Sequence, residues 1–387
     1  MTLGFPRKIC VVVGSRANYS SIKSVMVAIA DHPNLRLQTI AAASAVLDRY
    51  GSVVNLMRKD GFTIDAEVAY LVEGETPLTM AKSTGLGLIE LANEFNRLQP
   101  DIVITVGDRF ETMSTVLAAA YMNIIVAHTM GGEVTGTIDE SIRHAVTKFS
   151  HIHFPASEDA RNRIIRLGEK PDDVHMVGCP RIDLVAEILR EKKHLTDNDV
   201  FQGVGASFDL EGKFILVSQH PVTTEFGNGT AQITSTLTAV ERTGLPALVL
   251  WPNADAGSED VSRGIRIWRE RNPSSSFYFV KNLPIDVYVR LMNRAACLVG
   301  NSSSGLREGA YIGTPVVNLG SRQTARERSN NVKDSDFEVG SIFAAINAQL
   351  LNGPYDTDPI YGDGSAGKKV ANILSNKEVS IQKQITY

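Results

Sequence analysis

The 387-residue sequence is poor in cysteine, with only Cys10, Cys179 and Cys297. No two of these form a Cys-x-x-Cys pair, and an odd count suits no disulfide framework. Each lies in or beside an apolar run, so buried reduced thiols are expected, which points to a reducing compartment. No apolar run is long enough to cross a bilayer, and Met1–Cys10 leads straight into a strand-like stretch rather than a leader. The chain therefore reads as cytoplasmic, with no membrane partner. An excess of positive charge is missing too. The formal net charge is −4, which argues against general nucleic-acid binding and leaves room for a local phosphate pocket. Low-complexity segments and short internal repeats are absent, as is the Gly-Lys-Ser/Thr signature of a nucleotide-binding P-loop. What remains is ordinary globular composition, 43% hydrophobic and 21% charged, in a chain long enough for about two to three domains.

Strands alternate with helical patterns. Lys8–Gly14 is an apolar run followed by a small-residue turn and a helical face of Ile22, Val25, Met26 and Ile29. Leu35–Ala42 reads as a strand, Val46–Met57 and Pro77–Leu98 as helices, and Ile102–Val106 and Ile124–Ala127 as strands. His151–Pro155 and Val174–Val177 read as the last strands of this half. Ala186–Gly212 is charged and polar, a plausible linker. The pattern then restarts with strands at Phe214–Ser218, Ala247–Trp251, Phe277–Val280, Leu298–Val299 and Val316–Leu319, and ends on a helix-like piece, Lys368–Leu374. Such alternation predicts two doubly wound parallel sheets.

Polar residues gather where strands end, which is where open α/β sheets bind ligands. Ile102–Val106 finishes in Gly107-Asp108-Arg109. Ile124–Ala127 finishes in His128 and Gly131-Gly132-Glu133. Asp139, Glu140, Arg143 and His144 follow at a helix start. The competing reading is a solvated strand end and, for Asp139 and Arg143, a surface ion pair at i, i+4. Gly300-Asn301-Ser302-Ser303-Ser304-Gly305 before a helix is an anion-loop candidate. Glu308 beyond it suits ribose hydroxyls, or else offsets the helix dipole. Arg16, Arg109, His220, Lys281 and Arg322 are cationic or potentially cationic groups at strand ends, suited to a diphosphate if they converge. His151 and His153 share a strand face, but no carboxylate or cysteine completes a metal set nearby, so no metal is expected.

Several runs together resemble the hydrolysing UDP-N-acetylglucosamine 2-epimerases, which include the bacterial sialic-acid enzymes. They are Gly107-Asp108-Arg109, His128–Lys148, Gln219–Thr224, Pro252–Ser258 and Gly300–Ser303, in order along nearly the whole chain. The resemblance implies the GT-B architecture of two Rossmann-like domains facing across a cleft. The N-terminal domain would be 1–187, joined by the C-terminal helix 368–387 and carrying the catalytic carboxylates; the UDP-binding domain would be 188–367. It implies conversion of UDP-N-acetylglucosamine and water to N-acetylmannosamine and UDP, through a glycal, with inversion at C2. No cofactor is called for. UDP-sugar and UDP are the implied partners, in a homodimer or homotetramer, and no kinase half follows Tyr387.

By the same resemblance Asp108 is the leading proton-transfer carboxylate, with Asp139 second and Arg143 its support. Arg16, Ser20, Arg109, His220, Asn253, Asp255, Ser302, Ser303, Glu308 and Arg322 match positions that hold UDP, and Lys281-Asn282 falls at the uracil. One departure stands out: where many members carry a catalytic Glu, this chain has Met130. Glu133, Asp139 or His128 would then take over that acid role, or the sugar differs. UDP-N,N'-diacetylbacillosamine, the substrate of relatives in legionaminic-acid synthesis, is a 6-deoxy sugar that an apolar Met would suit. A GT-B glycosyltransferase and a non-catalytic UDP-sugar sensor are the readings from other classes.

Overall fold

A computed structural model describes residues 6–386 except 75, 135–137, 223, 224, 226, 253–256 and 282. The expected site residues Asn253, Asp255 and Asn282 therefore lie outside the described residues. The chain divides into two compact units: Met1–Leu184 with Gly362–Tyr387, and Val185–Tyr361. Each is a doubly wound α/β unit, as the sequence pattern predicts.

Unit 1 holds β1 (Arg7–Val13), β2 (Leu35–Ala42), β3 (Ala66–Val68), β4 (Ile102–Val106), β5 (Ile125–Thr129) and β6 (Ile152–Phe154). They form one parallel sheet in the order β3-β2-β1-β4-β5-β6. Its strands are buried on both faces, so they read as continuous apolar runs rather than alternating ones. β1 shows the division of labour. Ile9, Val11 and Val13 join a cluster with Ile22, Met26 and Leu374 on one side, while Cys10 and Val12 join Leu91, Phe95 and Val116 on the other. Ser15 caps the helix Arg16–Ala30, its hydroxyl accepting from the Asn18 N–H. A Thr76/Thr79 capping box with Pro77 starts the helix Pro77–Leu98.

The C-terminal segment belongs to unit 1. The helix Ala366–Asn376 packs on Arg16–Ala30, and Gly367 lies so close that a Cβ would sit 2.5 Å from the Ser24 carbonyl. The Asp183 carboxylate caps it through the N–H groups of Ala366 (2.9 Å) and Gly367 (2.7 Å). The chain beyond lies against β6 and the helix Ile138–Phe149. Lys383 donates to the carbonyls of Lys148 (2.8 Å) and Ser150 and pairs with buried Glu169 (2.6 Å). Glu169 also takes Lys148 (2.6 Å) and His153 (3.1 Å). Burial alone would raise that carboxyl. Its bonds from His153, Lys148 and Lys383 overturn the effect and hold it at about 2. His151 bonds the Ile381 carbonyl at 3.1 Å. Both histidines of the His-Ile-His run are thus engaged in anchoring this segment.

Unit 2 holds β7 (Val204–Gly205), β8 (Ile215–Ser218), β9 (Ala247–Leu250), β10 (Phe277–Val280), β11 (Cys297–Gly300), β12 (Val316–Leu319) and β13 (Val332–Ser335), ordered β13-β12-β11-β8-β9-β10-β7. Apart from β7, which pairs antiparallel with β10, this repeats the order of unit 1. The three cysteines are buried and none forms a disulfide.

Three expectations need correction. Val174–Val177 forms no strand, only a single bridge from Val174 to His153. The helix expected over Val46–Met57 begins at Val53, because left-handed Gly51 and Ser52 break the chain after two 3-10 turns. The polar stretch read as a linker is structured: its first residues finish the helix Pro180–Arg190, and β7 lies within it.

Candidate active site

In unit 1 the strand order reverses between β1 and β4, and their carboxyl ends form the switch point. Buried Asn18 ties the two ends together. Its Oδ1 accepts from the Gly14 N–H (3.2 Å), and its Nδ2 donates to the Val106 carbonyl (3.3 Å). Arg16 is exposed at the first position of the helix that starts here, and one turn on Ser20 donates to the Ala17 carbonyl (3.0 Å).

Asp108 follows Gly107 at the end of β4. Its carboxylate accepts from the Arg143 guanidinium, whose side chain is only 5% exposed, on the helix Ile138–Phe149. Arg143 thus reaches a partner 35 residues away in sequence, a contact that helical spacing cannot reveal. Arg109 is half exposed and donates from Nε to Oε1 of buried Glu111 (2.9 Å). Burial lifts the Glu111 carboxyl above the usual range; Arg109 opposes that lift and the Asp139 charge adds to it. Asp139 thus lies within electrostatic reach of Glu111.

His128, on β5, is fully buried. Its Nε2–H donates to the Gly107 carbonyl at 2.8 Å, leaving Nδ1 as the acceptor facing Thr147 (3.4 Å). Burial drives its pKa down to about 3, so the imidazole is neutral and serves to hold the peptide before Asp108. This removes His128 from the candidates for the acid role vacated at Met130. Met130 adopts a left-handed φ of 62° and packs against the unit 1 core. Gly132, at φ 76°, passes so close to the helix Glu158–Arg166 that a Cβ would lie 2.2 Å from the Ala160 carbonyl. That turn delivers Glu133, which is buried.

In unit 2 the serine loop follows β11. Gly300 (φ 143°) approaches β8 so closely that a Cβ would sit 2.1 Å from the Ser218 carbonyl. Fully buried Asn301 then bonds the His220 backbone twice, accepting from its N–H (2.7 Å) and donating to its carbonyl (2.8 Å). The Asn301 carbonyl accepts from Arg322 (3.1 Å) and Gln323 (2.9 Å). One asparagine therefore gathers the ends of β8, β11 and β12. Ser302 caps the short helix Ser303–Leu306, and buried Glu308 opens the helix Glu308–Ile312. Burial, with Arg322 beside it, lowers the pKa of His220 to about 4. Of the cationic or potentially cationic groups expected here, His220 is thus a neutral hydrogen-bonding group, and Arg322 carries the charge. Lys281 is exposed at the end of β10, separated from β8 by β9.

The structure thus joins Asp108 with Arg143 in unit 1, and His220 with Ser302 and Arg322 around Asn301 in unit 2. Glu111 and Asn18 were not among the expected site residues, and Asn301 was expected only as a member of the anion loop, not as the residue that organises it. The signal for Glu111 was an acid in the first helical turn after Asp108-Arg109, a position that ordinarily reads as dipole compensation.

Residues 27–375 match the family described as UDP-N-acetylglucosamine 2-epimerase. A UDP-N,N'-diacetylbacillosamine 2-epimerase (hydrolyzing) from Legionella pneumophila is 33% identical over 380 residues, which cover 98% of each chain. A UDP-N-acetylglucosamine 2-epimerase from Neisseria meningitidis is 28% identical over 384 residues, again 98% of each. The crystal structure of UDP-GlcNAc 2-epimerase from Neisseria meningitidis bound to UDP-GlcNAc shares the fold at a TM-score of 0.76 and 17% identity, covering 96% of this chain and 100% of that one.

Proposed function

From the premise that this chain belongs to the UDP-N-acetylglucosamine 2-epimerase family, we propose that it is a hydrolysing 2-epimerase acting on a UDP-linked 2-acetamido sugar, UDP-N-acetylglucosamine in the first reading. The observation that carries this is a carboxylate, Asp108, fixed by a buried guanidinium at the switch point of unit 1. The C1–O bond breaks with its electron pair leaving on UDP, and the C2 proton passes to a carboxylate, which gives a C1=C2 glycal. Water then adds its oxygen to C1, and a proton returns to C2 from the opposite face. The reaction balances with water alone. Asp108 is the base in this reading, and Glu133 or Asp139 returns the proton. The serine loop, Arg322 and neutral His220 of unit 2 bind the diphosphate, whose departure needs charge-assisted donors.

A second reading keeps the chemistry and changes the sugar to UDP-N,N'-diacetylbacillosamine. It is favoured by Met130, an apolar side chain where an acid is common, and by the name of the Legionella relative. Each sugar nucleotide is to be incubated in D2O and followed by proton NMR. Release of UDP with a C2-deuterated, C2-inverted free sugar is expected from one of them. No UDP release from either would overturn the proposal, and release that requires an acceptor sugar would make the protein a glycosyltransferase.

A further inference from the structure

Glu111 is a costly residue to place where it is. Its side chain is 4% exposed and sits in the first turn of the helix Phe110–Tyr121. Among the described residues, Oε2 meets no hydrogen-bond partner, and a buried carboxyl oxygen without one is destabilising. The space around it is built to keep it. Gly14 has no Cβ, and one placed there would lie 2.6 Å from Cγ of Glu111, so the carboxyl stem runs directly over the end of β1. Asn18, Thr112 and Thr115 line the same narrow crevice. A residue kept at such expense needs a purpose beyond packing, and its other oxygen supplies one. Oε1 accepts from Nε of Arg109, whose side chain is 52% exposed at the carboxyl end of β4. A half-exposed guanidinium is therefore tied to a buried carboxyl.

We propose that Glu111 is a positioning residue that sets the Arg109 guanidinium for the diphosphate of a UDP-sugar. This rests on the function proposed above. An arginine fixed through Nε loses less rotamer entropy on gripping a phosphate than one free in solvent, and its planar fork is aimed before the ligand arrives.

A double-mutant cycle on the full chain tests this, with UDP affinity read by calorimetry and folding checked by thermal melting. Glu111→Gln keeps the shape and an acceptor for Nε but removes the charge. It should weaken UDP binding about tenfold and raise KM by a similar factor, with kcat changed far less. Arg109→Ala should cause a loss at least as large. The double variant should bind no worse than Arg109→Ala, because the two residues act as one unit. Glu111→Asp, which restores the charge one methylene short, should recover part of the loss. If Arg109→Ala weakens binding and Glu111→Gln does not, or if the two losses simply add, the positioning role is wrong while the proposed function stands. If neither variant affects UDP, the assignment of Arg109 to the diphosphate falls as well.

Discussion

Replacing Asn301 should damage unit 2 in a way that can be sized from the structure. Its side chain is fully buried, and both polar atoms are spent on the His220 backbone, at 2.7 and 2.8 Å. Asn301→Ala removes both bonds and leaves a buried N–H and a buried carbonyl unsatisfied. At about 1–3 kcal/mol for each stranded group, the cost is about 2–6 kcal/mol. Asn301→Asp keeps the acceptor for the N–H but turns a carboxylate oxygen toward the His220 carbonyl, so it should be no milder. The assay is already in the sequence. The only two tryptophans, Trp251 and Trp268, lie in unit 2, where Trp268 stacks on Phe277 at 4.8 Å. Tryptophan fluorescence during urea unfolding therefore follows unit 2 alone. Both variants should lower its midpoint by about 1–3 M, at a mid-range slope of about 2 kcal/mol/M, and UDP affinity should fall with it. A fluorescence transition within about 0.5 kcal/mol of the parent for both variants would refute this account of the loop, since that is the scatter of neutral surface changes.

Three further outcomes are expected. His128 is neutral in the fold at a pKa of about 3, against an ordinary 6.5. The unfolded chain therefore takes a proton that the fold refuses, and stability falls as pH drops from 6.5 toward 3. At pH 5 the term is about 2 kcal/mol, so His128→Gln should lose that much less than the parent between pH 7.5 and 5 in melting by circular dichroism. Lys383→Met removes one of three partners of buried Glu169 and should destabilise unit 1 by about 1–3 kcal/mol, read as a lower melting temperature and faster proteolysis of the C-terminal segment. Met130→Glu separates the two sugar readings in a substrate panel. A gain on UDP-N-acetylglucosamine marks a simple loss of the acid, and a fall on the diacetamido sugar marks selection for the 6-deoxy group.

The sheets were legible because parallel strands buried on both faces read as near-continuous apolar runs, as β9 (Ala247–Leu250), β10 (Phe277–Val280) and the Ile9–Val13 part of β1 do. The two small edge strands β3 and β7 were not, being three and two residues long. Nor was β13, whose Val332-Lys333-Asp334-Ser335 is half exposed and polar. The candidate site could be proposed from residue types at strand ends, but its internal wiring could not. That Arg143 meets Asp108, and that Asn301 gathers three strands, are facts of tertiary contact with no local period. The neutrality of His128 and His220 likewise comes from burial, which a list of basic residues cannot show.

Because the helix Ala366–Asn376 and the residues after it complete unit 1, this lobe cannot finish folding in the order it is made. The surface of Arg16–Ala30 that will receive that helix leaves the ribosome long before its cover exists. With about 180 residues still to be added at about 5–20 per second, the wait is about 10–40 s. The nascent amino-terminal half must spend that interval as an incomplete, sticky intermediate. Any message truncated between the two lobes would yield a first half lacking its final helix, a ready client for chaperones and proteases.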